Sequence, residues 1–331
     1  MGQGSESEDG TQHVPHGMPN AGRSLGPVPA TPSSLSDLVL SRTALDRAGH
    51  RRCDVDLLKN LLASADARVI DLYGENAVVH DDALVLRPPE PADAERFAVF
   101  LGVDRGIDII AIDRLAEQAP EDARSLRAVG MDLDVHDAGV LTTALGIMNW
   151  QRTQGFCPHC GQPAEVVEAG WGRRCTKDGT NRYPRTDAAV IMSVIDDEDR
   201  LLLARGVRFG AETKRMSVLA GFVEPGESLE HAVAREVHEE VGVTVSQVQY
   251  RGDQPWPFPA SLMVGFAARA TTTDLVLQVD EIADARWFSR SELATALDDG
   301  SLGVPPGLSI ARHLIEDWYG GPLPEAAGQQ W

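Results

Sequence analysis

The sequence predicts an α/β protein: a mixed sheet sandwiched by helices, preceded by a small metal-stapled module and an N-terminal α+β domain. Three observations predict it. Short apolar runs of strand length alternate with helical stripes from about residue 35 to 320. The stretch from Gly221 to Val243 reads as a turn, a helix with clustered carboxylates and a glycine-closed helix end. Cys157, Cys160 and Cys175 stand mid-chain with the spacing of a zinc ribbon.

A chain of 331 residues has room for two or three domains. Its net charge of −20 argues against a protein built around a nucleic-acid backbone, which needs basic patches. A small anionic substrate stays compatible with that charge if a metal and local arginines correct the field inside the cleft. There is no run of eighteen apolar residues, so no membrane span is expected, and no basic region followed by an apolar core, so no secretory signal is expected. Three of the four cysteines cluster, which suits a metal site in a reducing compartment better than a disulfide framework. The cytoplasm is the expected location.

In order along the chain, residues 1–34 are rich in Gly, Ser, Pro and Thr and read as a flexible tail, with His13 and His16 solvated within it. Residues 35–151 form the first domain. Its β runs are Arg68 to Tyr73, Ala83 to Arg87 after an Asp81-Asp82 turn, and Phe97 to Val103 with Ile107 to Ile112 around Asp104-Arg105-Gly106. Ala138, Leu141, Leu145 and Met148 give a helical stripe that ends near Trp150. No catalytic pattern appears in this domain. Cys53 reads as a buried or inert thiol and Arg127 as a surface arginine.

Residues 152–185 carry Cys157-Pro-His-Cys160 and, fifteen residues after Cys160, Cys175-Thr-Lys-Asp178. Paired C-x2-C knuckles aim four thiolates at one tetrahedral centre, but Asp178 stands where a fourth cysteine belongs. Three readings are open: Asp178 supplies an oxygen ligand, His159 or a water completes the set, or the fold persists without metal. We take a structural Zn²⁺ held by the three cysteines and Asp178.

Residues 186–320 hold the catalytic domain and 321–331 a C-terminal tail. Strands are expected at Ala188 to Ile195, Arg200 to Ala204, Ser217 to Phe222, Thr244 to Tyr250, Met263 to Ala270 and Leu275 to Val279, and helices at Ser289 to Leu297 and Ser309 to Tyr319. Between Gly221 and Val243, Ser228 caps a helix that Gly242 closes. Val233, Val237 and Val241 form its apolar stripe, and Glu236, Glu239 and Glu240 fall on an adjacent arc, with Glu227 reaching in from the N-terminal end. Converging carboxylates repel one another unless a hard cation such as Mg²⁺ or Mn²⁺ sits among them. Arg235 can pin one of them through a forked pair. An acidic solvated helix face would explain scattered carboxylates, but not this full set of spacings.

This segment resembles the Nudix box, G-x5-E-x7-R-E-U-x-E-E-x-G-U with U apolar, at every fixed position. The resemblance implies a Nudix hydrolase with an α/β/α sandwich. Downstream, Gln254-Pro255-Trp256-Pro257-Phe258-Pro259-Ala260-Ser261 is similar to the SQPWPFPxS signature of the bacterial NADH pyrophosphatase family, with Asp253 in place of the leading serine. Alternate prolines hold Trp256 and Phe258 at little entropic cost, which suits stacking on a planar base.

That resemblance implies metal-dependent cleavage of the NAD(H) pyrophosphate into AMP and nicotinamide mononucleotide, removal of NAD caps from RNA 5′ ends, and a homodimer. It implies that Glu236 and Glu240 bind the cations with Glu239 in support, and that the Ala220 carbonyl and Glu281 add ligands. Gln254 through Ser261 would surround the substrate, and Tyr183 and Ala311 would line the pocket. A substrate-contacting glutamate of the family is Gly170 in this chain. Rival expectations are cleavage of ADP-ribose or diadenosine polyphosphates, and a non-catalytic nucleotide sensor. The retained glutamates argue against the sensor, and the proline-aromatic stretch against the other substrates.

Overall fold

The structure is a computed structural model and describes residues 35, 38–210 and 213–324; the tail expected over 1–34, with His13 and His16, lies outside the described residues, as do 325–331 of the C-terminal tail. In the first domain, β1 (Arg68–Tyr73), β2 (Asn76–His80), β3 (Ala83–Leu84), β4 (Ala98–Asp104), β5 (Ile107–Asp113) and β6 (Ala123–Ser125) make one sheet. Its order is β3-β2-β1-β5-β4, with β6 on β2 and with β1 and β5 parallel. Both faces are buried, so the strands read as continuous apolar runs. Val69, Ile110 and Ile112 point to one side with α1 (Leu57–Leu62). Ile70, Leu72 and Ile109 point to the other, beyond a short α2 (Leu126–Val129), against α3 (Val135–Thr153). Leu141, Leu145 and Met148 of α3 are fully buried there, each contributing about 1.5–3 kcal/mol. The Asp134 carboxylate caps α3 by accepting the N–H groups of His136 and Asp137 at 2.9 and 2.8 Å.

A three-stranded sheet, β7 (Ala164–Val167), β8 (Gly172–Cys175) and β9 (Asn181–Arg182), follows α3. The catalytic sheet then assembles from β10 (Asp187–Ile195), β11 (Leu201–Gly206), β12 (Leu219–Phe222), β13 (Val245–Trp256), β14 (Ser261–Ala270) and β15 (Ile282–Phe288). The order is β13-β14-β10-β11-β15, with β12 on β10. Val190, Met192 and Val194 pack against α4 (Leu229–Val241). On the opposite face Ile191, Leu201 and Leu203 pack against α5 (Arg290–Asp298) and α6 (Ile310–Tyr319). This is the expected α/β/α sandwich. No helix among the described residues is long and apolar enough to cross a membrane.

Two local expectations need correction. Leu275 to Val279 is not a strand: the Val276 and Gln278 N–H groups donate to the carbonyls of Val241 and Glu240 at 2.9 and 3.0 Å. The segment thus satisfies the open C-terminal carbonyls of α4 in place of a sheet ladder. The strand comes later, as β15. The stretch Gln254 to Ser261 is also less loop than expected: β13 runs to Trp256, which pairs with Ser261 across a tight turn.

Candidate active site

The catalytic helix is set at both ends by local chemistry. The Ser228 hydroxyl accepts the His231 N–H at 3.3 Å, and Gly242, at φ +74°, donates its N–H to the His238 carbonyl at 2.9 Å. Val233, Val237 and Val241 are fully buried, which turns Glu236 and Glu240 to the edge of the core, 9% and 8% exposed. β12 runs beside them. A Cβ built on Gly221 would stand 1.9 Å from the Glu236 carboxyl carbon, so only glycine permits this approach. Gly221→Ala is expected to displace Glu236 and lower kcat about 10²-fold while the melting temperature changes little; steady-state kinetics alongside thermal denaturation check this.

Arg235 organises the carboxylates. Its Nε and Nη2 hold both oxygens of Glu227 at 2.8 Å, and its Nη1 reaches Glu236 at 2.8 Å and Glu239 at 3.0 Å. Nη2 also donates to the Phe222 carbonyl at 2.9 Å, tying helix to strand. The Arg235 fork holds the Glu227 carboxyl down at about 2. Glu227 therefore anchors the arginine, while the Glu239 side chain stays half exposed.

Glu240 is the exceptional group. Its Oε2 is buried without a hydrogen-bond partner. Burial first, then the charges of Glu236 and Glu281, push its carboxyl up to about 8. Glu281 arrives beside it because the 276–278 segment is tied to the end of α4. Ala220 lies in β12 opposite Ile191, one residue before Gly221. An orphaned buried carboxylate oxygen among like charges is what a divalent cation with hard oxygen ligands would relieve, so these residues fit Mg²⁺ or Mn²⁺.

The aromatic turn is held from three sides. Gln254 is fully buried; its amide donates to the Leu308 carbonyl and accepts the Ile310 N–H, both at 2.8 Å, clamping the turn to the start of α6. Its side chain is thus engaged by protein. Ala311, in the first turn of α6, is buried as well. Asn149 of α3 donates to the carbonyls of Pro257 and Pro259 at 2.9 and 3.2 Å. Trp256 and Phe258 meet edge to face at 5.1 Å, and the Arg127 guanidinium lies 3.8 Å from the Phe258 ring centre. Pro255 and Ser261 flank the turn in register with Leu262 and Trp256. A cleft of about 390 Å³ opens alongside, lined by Asn149, Tyr183, Arg182, Arg185, Pro259 and Ala260 among others.

Three contributors were not read from sequence. Asn149 and Arg127 come from the first domain and give no local motif. Glu168 accepts the Tyr183 hydroxyl at 3.0 Å. It reaches Tyr183 through an unusual turn, with Glu168, Ala169 and Gly170 all at positive φ. At φ +95°, a side chain at Gly170 would meet Val99 at 2.7 Å, so a glutamate does not fit there in this chain. The acidic group beside Tyr183 is two residues earlier.

The cysteine knuckles repeat one geometry. Gly161 donates to the Cys157 carbonyl and Gly179 to the Cys175 carbonyl, at 2.7 and 3.0 Å, and both glycines are left-handed. Asp178 therefore occupies in the second knuckle the place of Cys160 in the first. The ligating atoms of Cys157, Cys160, Cys175 and Asp178 all lie within 4.8 Å of one another, a set that fits Zn²⁺; His159 is outside it. Arg182 donates to the Cys157 sulfur at 3.3 Å, offsetting thiolate charge.

Comparison with known proteins agrees with this architecture part by part. Residues 66–150 match the NADH pyrophosphatase-like rudimentary NUDIX domain, 152–183 the NADH pyrophosphatase zinc ribbon domain and 184–304 the NUDIX domain. The chain is 38% identical over 301 residues to the NAD-capped RNA hydrolase NudC of Mycobacterium bovis (strain BCG / Pasteur 1173P2), covering 85% of this chain and 94% of that one. The same identity and coverage hold for NudC of Mycobacterium tuberculosis (strain ATCC 25618 / H37Rv). The human NAD-capped RNA hydrolase NUDT12 is 36% identical over 276 residues, 79% of this chain and 59% of that one. With all three parts matched in sequence order, the chain belongs to the NADH pyrophosphatase family of Nudix hydrolases.

Proposed function

We propose that the protein hydrolyses the diphosphate of NAD(H) to AMP and nicotinamide mononucleotide, and cleaves the same bond in NAD-capped RNA. The observation that carries this reading is the unsatisfied buried Glu240 carboxylate beside Glu236, a short distance along one strand from a rigid aromatic turn. In β10, Val190 pairs with Gly221 and Asp187 pairs with Ser261. Three residues of strand separate these points by about 10 Å. That spacing suits a dinucleotide whose diphosphate lies at the carboxylates while one ring system reaches Trp256 and Phe258.

A bound Mg²⁺ or Mn²⁺ neutralises diphosphate charge and acidifies a water. Glu236 and Glu240 would hold it, with the Ala220 carbonyl and Glu281 as further ligands. Arg235 orients Glu236 and Glu239, with Glu227 as its anchor. A box glutamate takes the proton of the attacking water as a new P–O bond forms and the bridging P–O bond breaks. Tyr183 with Glu168, and the turn from Gln254 to Ser261, orient the substrate, with Gln254 and Ala311 acting through the packing of α6. The three cysteines and Asp178 would hold a structural Zn²⁺. A homodimer in the cytoplasm is the expected assembly and place.

The test is chromatography of products after incubating the purified protein with NADH and Mg²⁺ or Mn²⁺. Equimolar AMP and reduced nicotinamide mononucleotide are expected. Folded protein that releases neither with either metal would reject the reading.

A further inference from the structure

We infer that the zinc ribbon is a track for single-stranded RNA, receiving the phosphodiester chain that follows an NAD cap. This rests on the NAD-capped RNA reading above and deepens it by assigning the RNA body its own surface. The first observation is charge segregation. Residues 152–185 hold six Lys/Arg against three Asp/Glu, a local +3 that leaves −23 on the remainder of a chain whose total is −20. A net-positive module in a chain that is acidic overall is a favoured place for a polyanion.

The second observation is that most of these cations pair with no carboxylate. Arg87, Arg114, Arg152, Arg235, Arg290 and Arg312 each hold a carboxylate. Among the described residues Arg174, Lys177, Arg182 and Arg185 form no ion pair, and neither do Arg47 and Arg52, which stack at 5.8 and 3.7 Å over Trp171 of the ribbon. Arg174, Lys177 and Arg185 are exposed. In a protein with 50 acidic residues, exposed cations without a carboxylate partner are available to an external anion.

The third observation is that exposed aromatics interleave with the cations. Phe156 is 67% and Tyr183 49% exposed, both on the ribbon. Cationic surface with aromatic platforms is how single strands are held without sequence preference: phosphates meet guanidinium groups while bases stack on rings. The placement also fits. Arg182 and Arg185 line one cleft with Pro259 and Ala260 of the aromatic turn, so the ribbon adjoins the turn that orients the substrate.

The experiment compares the full-length wild type with Arg174→Gln/Lys177→Gln and with Phe156→Ala on two substrates, free NAD⁺ and an NAD-capped RNA, across a range of salt. For both variants kcat/KM on capped RNA is expected to fall about fivefold or more at low salt, with free NAD⁺ turnover within about twofold of wild type. For the double variant, the slope of log kcat/KM against log salt should also flatten by about 0.7 per lost phosphate contact. Wild-type capped-RNA turnover with an unchanged salt slope in the double variant would overturn the proposal. So would equal losses on both substrates, which would make these groups part of dinucleotide binding. Failure of the wild type on free NAD⁺ would instead indict the proposed function, so the two failures are distinguishable.

Discussion

Glu240→Gln is expected to give a folded protein whose turnover of NADH falls about 10²–10⁴-fold. The substitution keeps the shape of a side chain that is 8% exposed, but removes the negative charge a cation requires. It should also change how pH and metal act on stability. The Glu240 carboxyl is raised from about 4.5 to about 8 in the folded protein, chiefly by burial and then by Glu236 and Glu281. Between those two values the folded state holds a proton that the unfolded chain releases. Stability of the metal-free protein therefore falls as pH rises through that window. Bound cation favours the ionised form, so the rise in melting temperature on adding Mg²⁺ should grow from pH 5 to pH 8. In Glu240→Gln that growth should be largely gone. Calorimetry of both proteins with and without Mg²⁺ at the two pH values tests it; equal metal-induced shifts in both would remove Glu240 from the ligand set.

Cys175→Ser is expected to release zinc and unfold the ribbon. Strands of two to four residues cannot build a core, and structural zinc sites contribute about 10–16 kcal/mol of apparent binding free energy. Tyr183 follows β9 directly, so KM for NADH should rise with the loss of the ribbon. Asp178→Ala should be milder. Its knuckle is also closed by the Gly179 N–H on the Cys175 carbonyl, so zinc should stay bound but yield to a competing chelator at lower concentration. Metal analysis and chelator titration separate these outcomes. Zinc held by Asp178→Ala as tightly as by wild type would show that another group completes the site.

The catalytic helix was legible because its determinants are local. Ser228, Gly242, the valine stripe and the glutamate arc act within a few turns, and spacing alone fixes which side chains share a face. The zinc knuckles were legible for the same reason, since each closes within five residues. Three-dimensional packing decided the rest. Leu275 to Val279 has strand-like composition, but the unsatisfied carbonyls at the end of α4 claim its N–H groups, and this places Glu281 beside Glu240. Gln254 is fully buried, and its amide finds both its partners at the start of α6, far along the chain. Asn149 and Glu168 meet the aromatic turn and Tyr183 across 108 and 15 residues of chain. By itself the sequence determined the fold class, the helix that carries the carboxylates and the paired knuckles. Tertiary structure alone decided which buried polar groups hold the protein together and which are left free for substrate, because hydrogen-bond satisfaction is settled only when distant segments pack.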